Sequence, residues 1–167
     1  MRLNRGFTLI EMVVVLAIIG ILMLTSYPSV LNTLEIRALE NSARDILTSC
    51  QLAKFLSAST KLPHRLAFSN SGGRWHYSIA EQSPAGTWTT VTKYGEKEIP
   101  SKFVATIDLP GALTVDYSTM GYISNFDSLH RTITLGSNKL RLQFAPDLRI
   151  LVLYAGGSIQ FEKSQTS

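Results

Sequence analysis

Residues 5–11 read Arg-Gly-Phe-Thr-Leu-Ile-Glu, and an apolar run follows from Met12 to Leu24. The segment Phe7–Tyr27 is about 20 residues long, and as a helix it spans about 30 Å, the hydrocarbon thickness of a bilayer. Arg2 and Arg5 precede it with no acidic residue between them. By the positive-inside rule the N-terminus then lies in the cytoplasm. The sequence predicts a single-pass membrane helix with the rest of the chain outside.

Glu11 is the ionisable residue inside this apolar segment. An ionised carboxylate in a membrane helix costs about 2–3 kcal/mol even on translocon scales, so it needs a partner and is a functional candidate. The spacing of Gly6, Phe7, Glu11 and the apolar run resembles the type III signal sequence of type IV pilins and pseudopilins. This resemblance implies that a prepilin peptidase cuts after Gly6 and methylates the amine of Phe7. It also implies that Glu11 pairs with that amine on a neighbouring subunit during filament assembly.

Two other interpretations of the N-terminus are a Sec signal peptide and a plain signal anchor. A Sec signal ends in a small-x-small cleavage site, and residues 25–28, Thr-Ser-Tyr-Pro, offer only a poor one. A signal anchor explains the basic start and the apolar run but leaves Gly6 and Glu11 without a role. The motif therefore favours the pilin-like interpretation.

A helical pattern continues beyond the apolar segment to about residue 57, without glycine or proline after Pro28. We therefore expect one long helix, roughly residues 7–57. Gly20 and Pro28 interrupt its first half, and because proline removes a backbone hydrogen bond, a bend is expected near residues 20–28. In the second half, apolar residues recur at helical spacing and predict a buried stripe: Leu39, Ala43, Ile46, Leu47, Cys50 and Ala53.

Cys50 is the only cysteine, so an intrachain disulfide is excluded even for a domain outside the cytoplasm. Its position on the apolar stripe favours core packing over a reactive thiol. No group of His and Cys residues has the spacing of a zinc site, and His64, His76 and His130 fall in separate segments. The glycine pairs at 72–73 and 156–157 are typical of hairpin turns rather than phosphate loops. The sequence predicts neither catalysis, nor a cofactor, nor a metal.

After Pro63 the pattern changes to short β-rich runs separated by turn signals. Short links make neighbouring strands antiparallel. Leu140, Leu142 and Phe144 alternate with polar residues, which predicts a strand with one buried face. The fold class is therefore α+β, a long helix packed on antiparallel sheet. The predicted strands are His64–Ser69, Arg74–Ala80, Thr87–Lys93, Phe103–Ile107, Ala112–Ser118, Arg131–Leu135, Lys139–Phe144, Leu148–Tyr154 and Ser158–Phe161.

This order of elements extends the pilin-like resemblance to the whole chain, and it is similar to minor pseudopilins and minor pilins of the GspH/FimT type, with competence minor pilins as close relatives. The expected organisation is a leader (1–6), a membrane half of the helix (7–28), an amphipathic half (29–60) and an antiparallel β domain (61–167). The resemblance implies a subunit that stays in the cytoplasmic (inner) membrane until it joins other subunits in a type IV pilus or type II secretion pseudopilus, in a tip complex that primes assembly.

Basic residues in the C-terminal strands suggest a second hypothesis. With a formal net charge of +4, the chain places Arg131, Lys139, Arg141 and Arg149 in segments that could form one positive surface. Some FimT-type and competence minor pilins bind DNA through such a surface. The alternative is that these residues only solvate outward strand faces and protect sheet edges. Filament subunit and DNA-binding pilin thus remain the two functional predictions.

Overall fold

The computed structural model describes residues 8–141 and 147–165, and within them all side chains except those of residues 24–29, 141 and 165. Helix α1 runs Leu9–Thr60 over 52 residues, which confirms the prediction of one long helix. The next residue, Lys61, has φ 60°, the left-handed conformation that commonly follows a helix end. Pro63 then prevents a return to helix.

The chain divides into two compact units, Met1–Glu35 and Ile36–Ser167. In the first unit, the described part of α1 exposes large apolar side chains, from Leu9 at 83 % to Ile19 at 41 %. Among the residues whose side chains are described, no helix is both long and apolar enough to cross a membrane. The expected boundary between a membrane half (7–28) and an amphipathic half (29–60) stays a prediction.

The second unit contains the rest of α1 and two antiparallel sheets. The elements after α1 are β1 His64–Ser71, β2 Arg74–Gln82, β3 Trp88–Thr90, a 3₁₀ turn Thr92–Tyr94, β4 Lys97–Glu98, β5 Phe103–Asp108, β6 Thr114–Tyr117, β7 His130–Ser137, α2 Asn138–Arg141, β8 Asp147–Tyr154 and β9 Ile159–Gln165. In the described residues the first sheet has the order β3-β2-β1-β6, with β4 also paired to β2, and the second has the order β5-β7-β8-β9.

The core of this unit lies between α1 and both sheets. The predicted helix stripe is confirmed, since Leu39, Ala43, Ile46, Cys50 and Ala53 are at most 1 % exposed and Leu47 packs against them. They contact strand residues of alternating register, which include Leu66, Val115, Ile133, Leu135, Leu151 and Leu153. Burial of one face of each strand by a helix is the expected consequence of period-two patterning. The α+β prediction is confirmed.

One predicted strand is wrong. Residues 138–141 form the short helix α2, and residues 142–146, with Leu142 and Phe144, lie outside the described residues. The preceding strand, predicted to end at Leu135, continues as β7 to Ser137. There the Ser137 hydroxyl accepts the Leu140 amide at 3.5 Å, a local bond of the kind that starts a helical turn. The predicted strand Thr87–Lys93 is shortened to β3, and β4 was not predicted.

Candidate functional site

The first turn of α1 is capped by Thr8 and Glu11. The Glu11 amide donates to Thr8 Oγ1 at 3.2 Å, and the Thr8 amide donates to Glu11 Oε2 at 3.5 Å. This reciprocal capping box satisfies two amides that a helix N-terminus otherwise leaves without a partner. The carboxylate also lies at the positive end of the helix dipole. Thr8 was not singled out from the sequence, although the Thr-x-x-Glu spacing of residues 8–11 is the signature of this motif.

The surroundings of Glu11 are apolar and open. Its neighbours Leu9, Ile10 and Met12 are 83 %, 66 % and 54 % exposed. Contiguous apolar surface of this kind marks a site that contacts a membrane or another protein. Glu11 is therefore a carboxylate at the start of an exposed apolar surface, and burial of that surface requires a membrane or another protein.

Other predicted residues of this region are only partly visible. Gly6 and Phe7, the expected cleavage and methylation residues, lie outside the described residues. Helix α1 continues through Gly20 and Pro28, and a β-carbon added at Gly20 would contact nothing within 4 Å. The bend expected at these two residues stays a prediction.

Arg149 does not lie on a positive surface, which corrects one residue of the predicted DNA-binding set. It is 3 % exposed and forms a two-pronged ion pair with Asp147. The reason is its register: on β8 it shares the inward face with Leu151 and Leu153, both fully buried. A phosphate group cannot reach it without opening the domain.

Arg131, Lys139 and Arg141 are the remaining members of that set. Arg131 bonds Asp108 at 3.3 Å and also pairs with Asp127. The hydrogen bond with Asp127 raises the pKa of Arg131 and lowers that of the Asp127 carboxyl. Lys139 is exposed, and the side chain of Arg141 lies outside the described residues. DNA binding stays a prediction. It is weakened because Arg131 and Arg149 each form ion pairs with carboxylates of this chain.

A charged cluster not anticipated from the sequence joins α1 to the second sheet. Glu40 on α1 accepts hydrogen bonds from Lys163 on β9 and Arg44 on α1, each at 2.8 Å, and Arg149 Nε lies 4.0 Å from the same carboxylate. The bonds from Lys163 and Arg44 lower the pKa of Glu40 to about 2. Three cations therefore share Glu40, with Asp147 as the second carboxylate. The cluster itself therefore contains three cations and two carboxylates.

Cys50 and His64 are buried side chains of the second unit. Burial raises the pKa of the Cys50 thiol to about 12, beside the buried Tyr117. His64 is 1 % exposed, with Nδ1 2.9 Å from the Leu62 carbonyl oxygen and Nε2 3.3 Å from Glu81. Among the described residues, no group of three or more His, Cys, Asp or Glu side chains could hold a metal ion. Cys50 and His64 therefore serve packing in the second unit.

Comparison with known proteins gives matches to the N-terminal segment and to the fold. Residues 1–27 match the prokaryotic N-terminal methylation motif. The fold is similar to that of the minor pseudopilin EpsH from the type 2 secretion system of Vibrio cholerae, with a TM-score of 0.59 and 8 % sequence identity, over 75 % of this chain and 96 % of that one. No curated protein matches the sequence. The chain thus combines a match to the methylation motif with a fold similar to that of a minor pseudopilin.

Proposed function

We propose that the chain is a minor subunit of a pilin-like filament, held in the cytoplasmic (inner) membrane until assembly. The observation that carries the proposal is the N-terminal motif, in which Gly6 and Phe7 precede a helix that places Glu11 in its first turn. The likeness of the fold to EpsH supports a type II secretion pseudopilus. A type IV pilus is the related alternative. Membership of a tip complex that primes assembly is part of the same proposal.

In this function the N-terminal half of α1 is buried in two successive environments. Before assembly its apolar side chains lie in lipid, with the leader in the cytoplasm and the β domain outside. After assembly they pack against other subunits, which cover the same surface. Glu11 then needs compensation, because an unpaired carboxylate in an apolar setting is costly. The methylated amine of Phe7 on a neighbouring subunit supplies it. The role is structural, and no catalytic step is proposed.

Leader cleavage tests the proposal directly. We expect the mature chain to begin at N-methylated Phe7, and Gly6→Val to keep residues 1–6, because a branched side chain replaces the glycine before the cut. Intact-mass spectrometry of membrane-extracted protein measures both. Gly111→Val is the matched control, since a β-carbon there contacts nothing within 4 Å. A mature chain that begins near Tyr27 would identify a Sec signal peptide and refute the pilin-like function.

A further inference from the structure

Strand β5, Phe103–Asp108, forms one edge of the second sheet, because β7 is its one neighbouring strand in the described residues. An edge strand presents backbone amides and carbonyls that can pair with a further strand. Natural edges are usually protected by lysine or proline, by shortness, or by a covering loop. The sequence of β5, Phe-Val-Ala-Thr-Ile-Asp, contains no lysine, proline or glycine. This edge is therefore suited to pairing.

The other sheet edges in the described residues are protected. Residues 122–125 cover β6, where the Ser124 amide donates to the Asp116 carbonyl at 2.8 Å. Strands β3 and β4 are three and two residues long. Strand β9 carries two adjacent charged residues, and one of them, Lys163, is bonded to Glu40 on α1. Among the described strands, β5 is thus the long edge without such protection.

The register with β7 shows which backbone groups of β5 point outward. The Asn138 amide donates to the Lys102 carbonyl at 3.3 Å, and in an antiparallel pair bonded and non-bonded residues alternate. The even-numbered residues of β5 therefore turn their amides and carbonyls toward β7, and the odd-numbered residues turn theirs away. The outward set consists of Phe103, Ala105 and Ile107. Of its backbone groups, the Phe103 amide alone has a backbone partner in the described residues, the Pro100 carbonyl at 2.9 Å.

A second copy of β5 can supply the missing partners. When two copies run antiparallel and are centred on Ala105, each outward residue faces another outward residue, and Phe103 lies opposite Ile107. The Ala105 amide of each copy then donates to the Ala105 carbonyl of the other, and the Ile107 amide donates to the Phe103 carbonyl. Ala105 and Ile107, which are half-buried and pack on the core, gain further apolar cover in this arrangement.

Charge fixes the register and favours a second copy over an unrelated strand. In the pairing centred on Ala105, Lys102 lies opposite Asp108 of the other copy, and the twofold symmetry repeats this pair. Both side chains are exposed, and Arg131 contacts one oxygen of Asp108 at 3.3 Å. A shift of two residues in either direction separates these opposite charges.

We propose that β5 pairs with β5 of a second copy of this chain and joins the two second sheets into one. This pairing involves the unit Ile36–Ser167 and does not depend on the proposed function.

Cysteine cross-linking of the full chain in host membranes tests the pairing. In this register Ala105 faces Ala105 of the other copy across the twofold axis, with Cα atoms about 5.5 Å apart, a separation that a disulfide can bridge. We expect Ala105→Cys to give at least about ten times more disulfide-linked homodimer than Thr89→Cys, an exposed position on β3. Cys50 is buried in both variants. Equal yields, or a cross-link of Ala105→Cys to a different host chain, would overturn the inference.

Charge exchange in the Ala105→Cys background provides the second arm. Lys102→Asp places two carboxylates opposite each other at both ends of the pairing and should lower the homodimer yield at least about threefold. Adding Asp108→Lys restores opposite charges in exchanged positions and should restore the yield. Thermal unfolding followed by circular dichroism checks that each variant folds as its parent does. An unchanged yield with Lys102→Asp, or no recovery in the double exchange, refutes the pairing of β5 with itself.

Discussion

Lys163 on β9 donates a hydrogen bond of 2.8 Å to Oε2 of Glu40 on α1, a residue 123 positions earlier in the chain. In the described residues β9 has one neighbouring strand, β8, so this bond fixes an edge strand to the helix. Arg44 donates to the other oxygen of the same carboxylate. Strand β9 is thus held to α1 by an ion pair that exists only while Glu40 is ionised.

The Glu40 cluster gives the domain an acid-sensitive contribution to stability. The pKa of Glu40 is lowered from 4.5 to about 2, mainly by the bond from Lys163 and then by that from Arg44. A lowered folded-state pKa means that the contribution is fully present above about pH 4.5 and is lost as the pH falls toward 2. We expect Glu40→Gln to reduce the Tm at pH 6 and to flatten its dependence on pH between 4.5 and 2.

Thermal unfolding of the detergent-solubilised chain, followed by circular dichroism, measures this effect. Asp45→Asn is the matched control, because Asp45 is an exposed carboxylate on the same helix with no ion pair among the described residues. Equal pH profiles for wild type and Glu40→Gln would show that Lys163 and Arg44 do not stabilise the fold through this carboxylate.

The Cys50 thiol should be inert while the domain is folded. It is 1 % exposed, and burial raises its pKa to about 12, so the thiolate that reacts with disulfide reagents is scarce at pH 8. We expect no reaction with a thiol reagent at pH 8 in buffer and complete reaction in denaturant. Rapid labelling of the folded chain would contradict the burial of this part of α1.

Among the glycines that the structure describes, Gly157 should be the one whose substitution destabilises the fold most. Its φ is +79°, and a β-carbon there would overlap the backbone carbonyl oxygen of Gly121. The Gly157 carbonyl also accepts a bond of 2.9 Å from Lys54 Nζ. We expect Gly157→Ala to destabilise the domain by about 2–4 kcal/mol, because backbone must shift. Denaturant titration measures this loss. Gly156→Ala is the control and should have little effect, because a β-carbon there would have nothing within 4 Å.

The parts of the fold that the sequence predicts well are those with a repeating pattern. The stripe that includes Leu39 and Cys50 follows from helical spacing alone, and glycine pairs at 72–73 and 156–157 mark real reversals. These signals are local, since each depends on a few consecutive residues and on one period. The N-terminal motif is local in the same sense.

The errors come from contacts that no local pattern contains. Arg149 was expected at the surface because arginine usually is, yet its register with Leu151 places it inward, where Asp147 neutralises it. The partner of Glu40, Lys163, lies at the far end of the chain. The strand expected at Lys139–Phe144 failed because alternation over three apolar residues does not exclude a helical turn capped by Ser137. The cap formed by Thr8 is the exception, because its Thr-x-x-Glu spacing is a local signal.

Glu11 and Thr8 allow charge and capping to be separated in the last prediction. Glu11→Gln keeps the capping box, since glutamine serves the same position, but removes the charge. Thr8→Ala keeps the charge and weakens the cap, at a cost of about 0.5–2 kcal/mol in helix stability. If Glu11 compensates the amine of a neighbouring subunit, Glu11→Gln should be inserted and cleaved normally yet fail to support filament-dependent secretion or uptake, whereas Thr8→Ala should retain most of that function.

Complementation of a deletion strain measures both, with Glu96→Gln, an exposed carboxylate of the β domain, as the control for the chemical change. Full function of Glu11→Gln would refute the charge mechanism, and a stronger defect in Thr8→Ala would assign Glu11 to the helix cap instead.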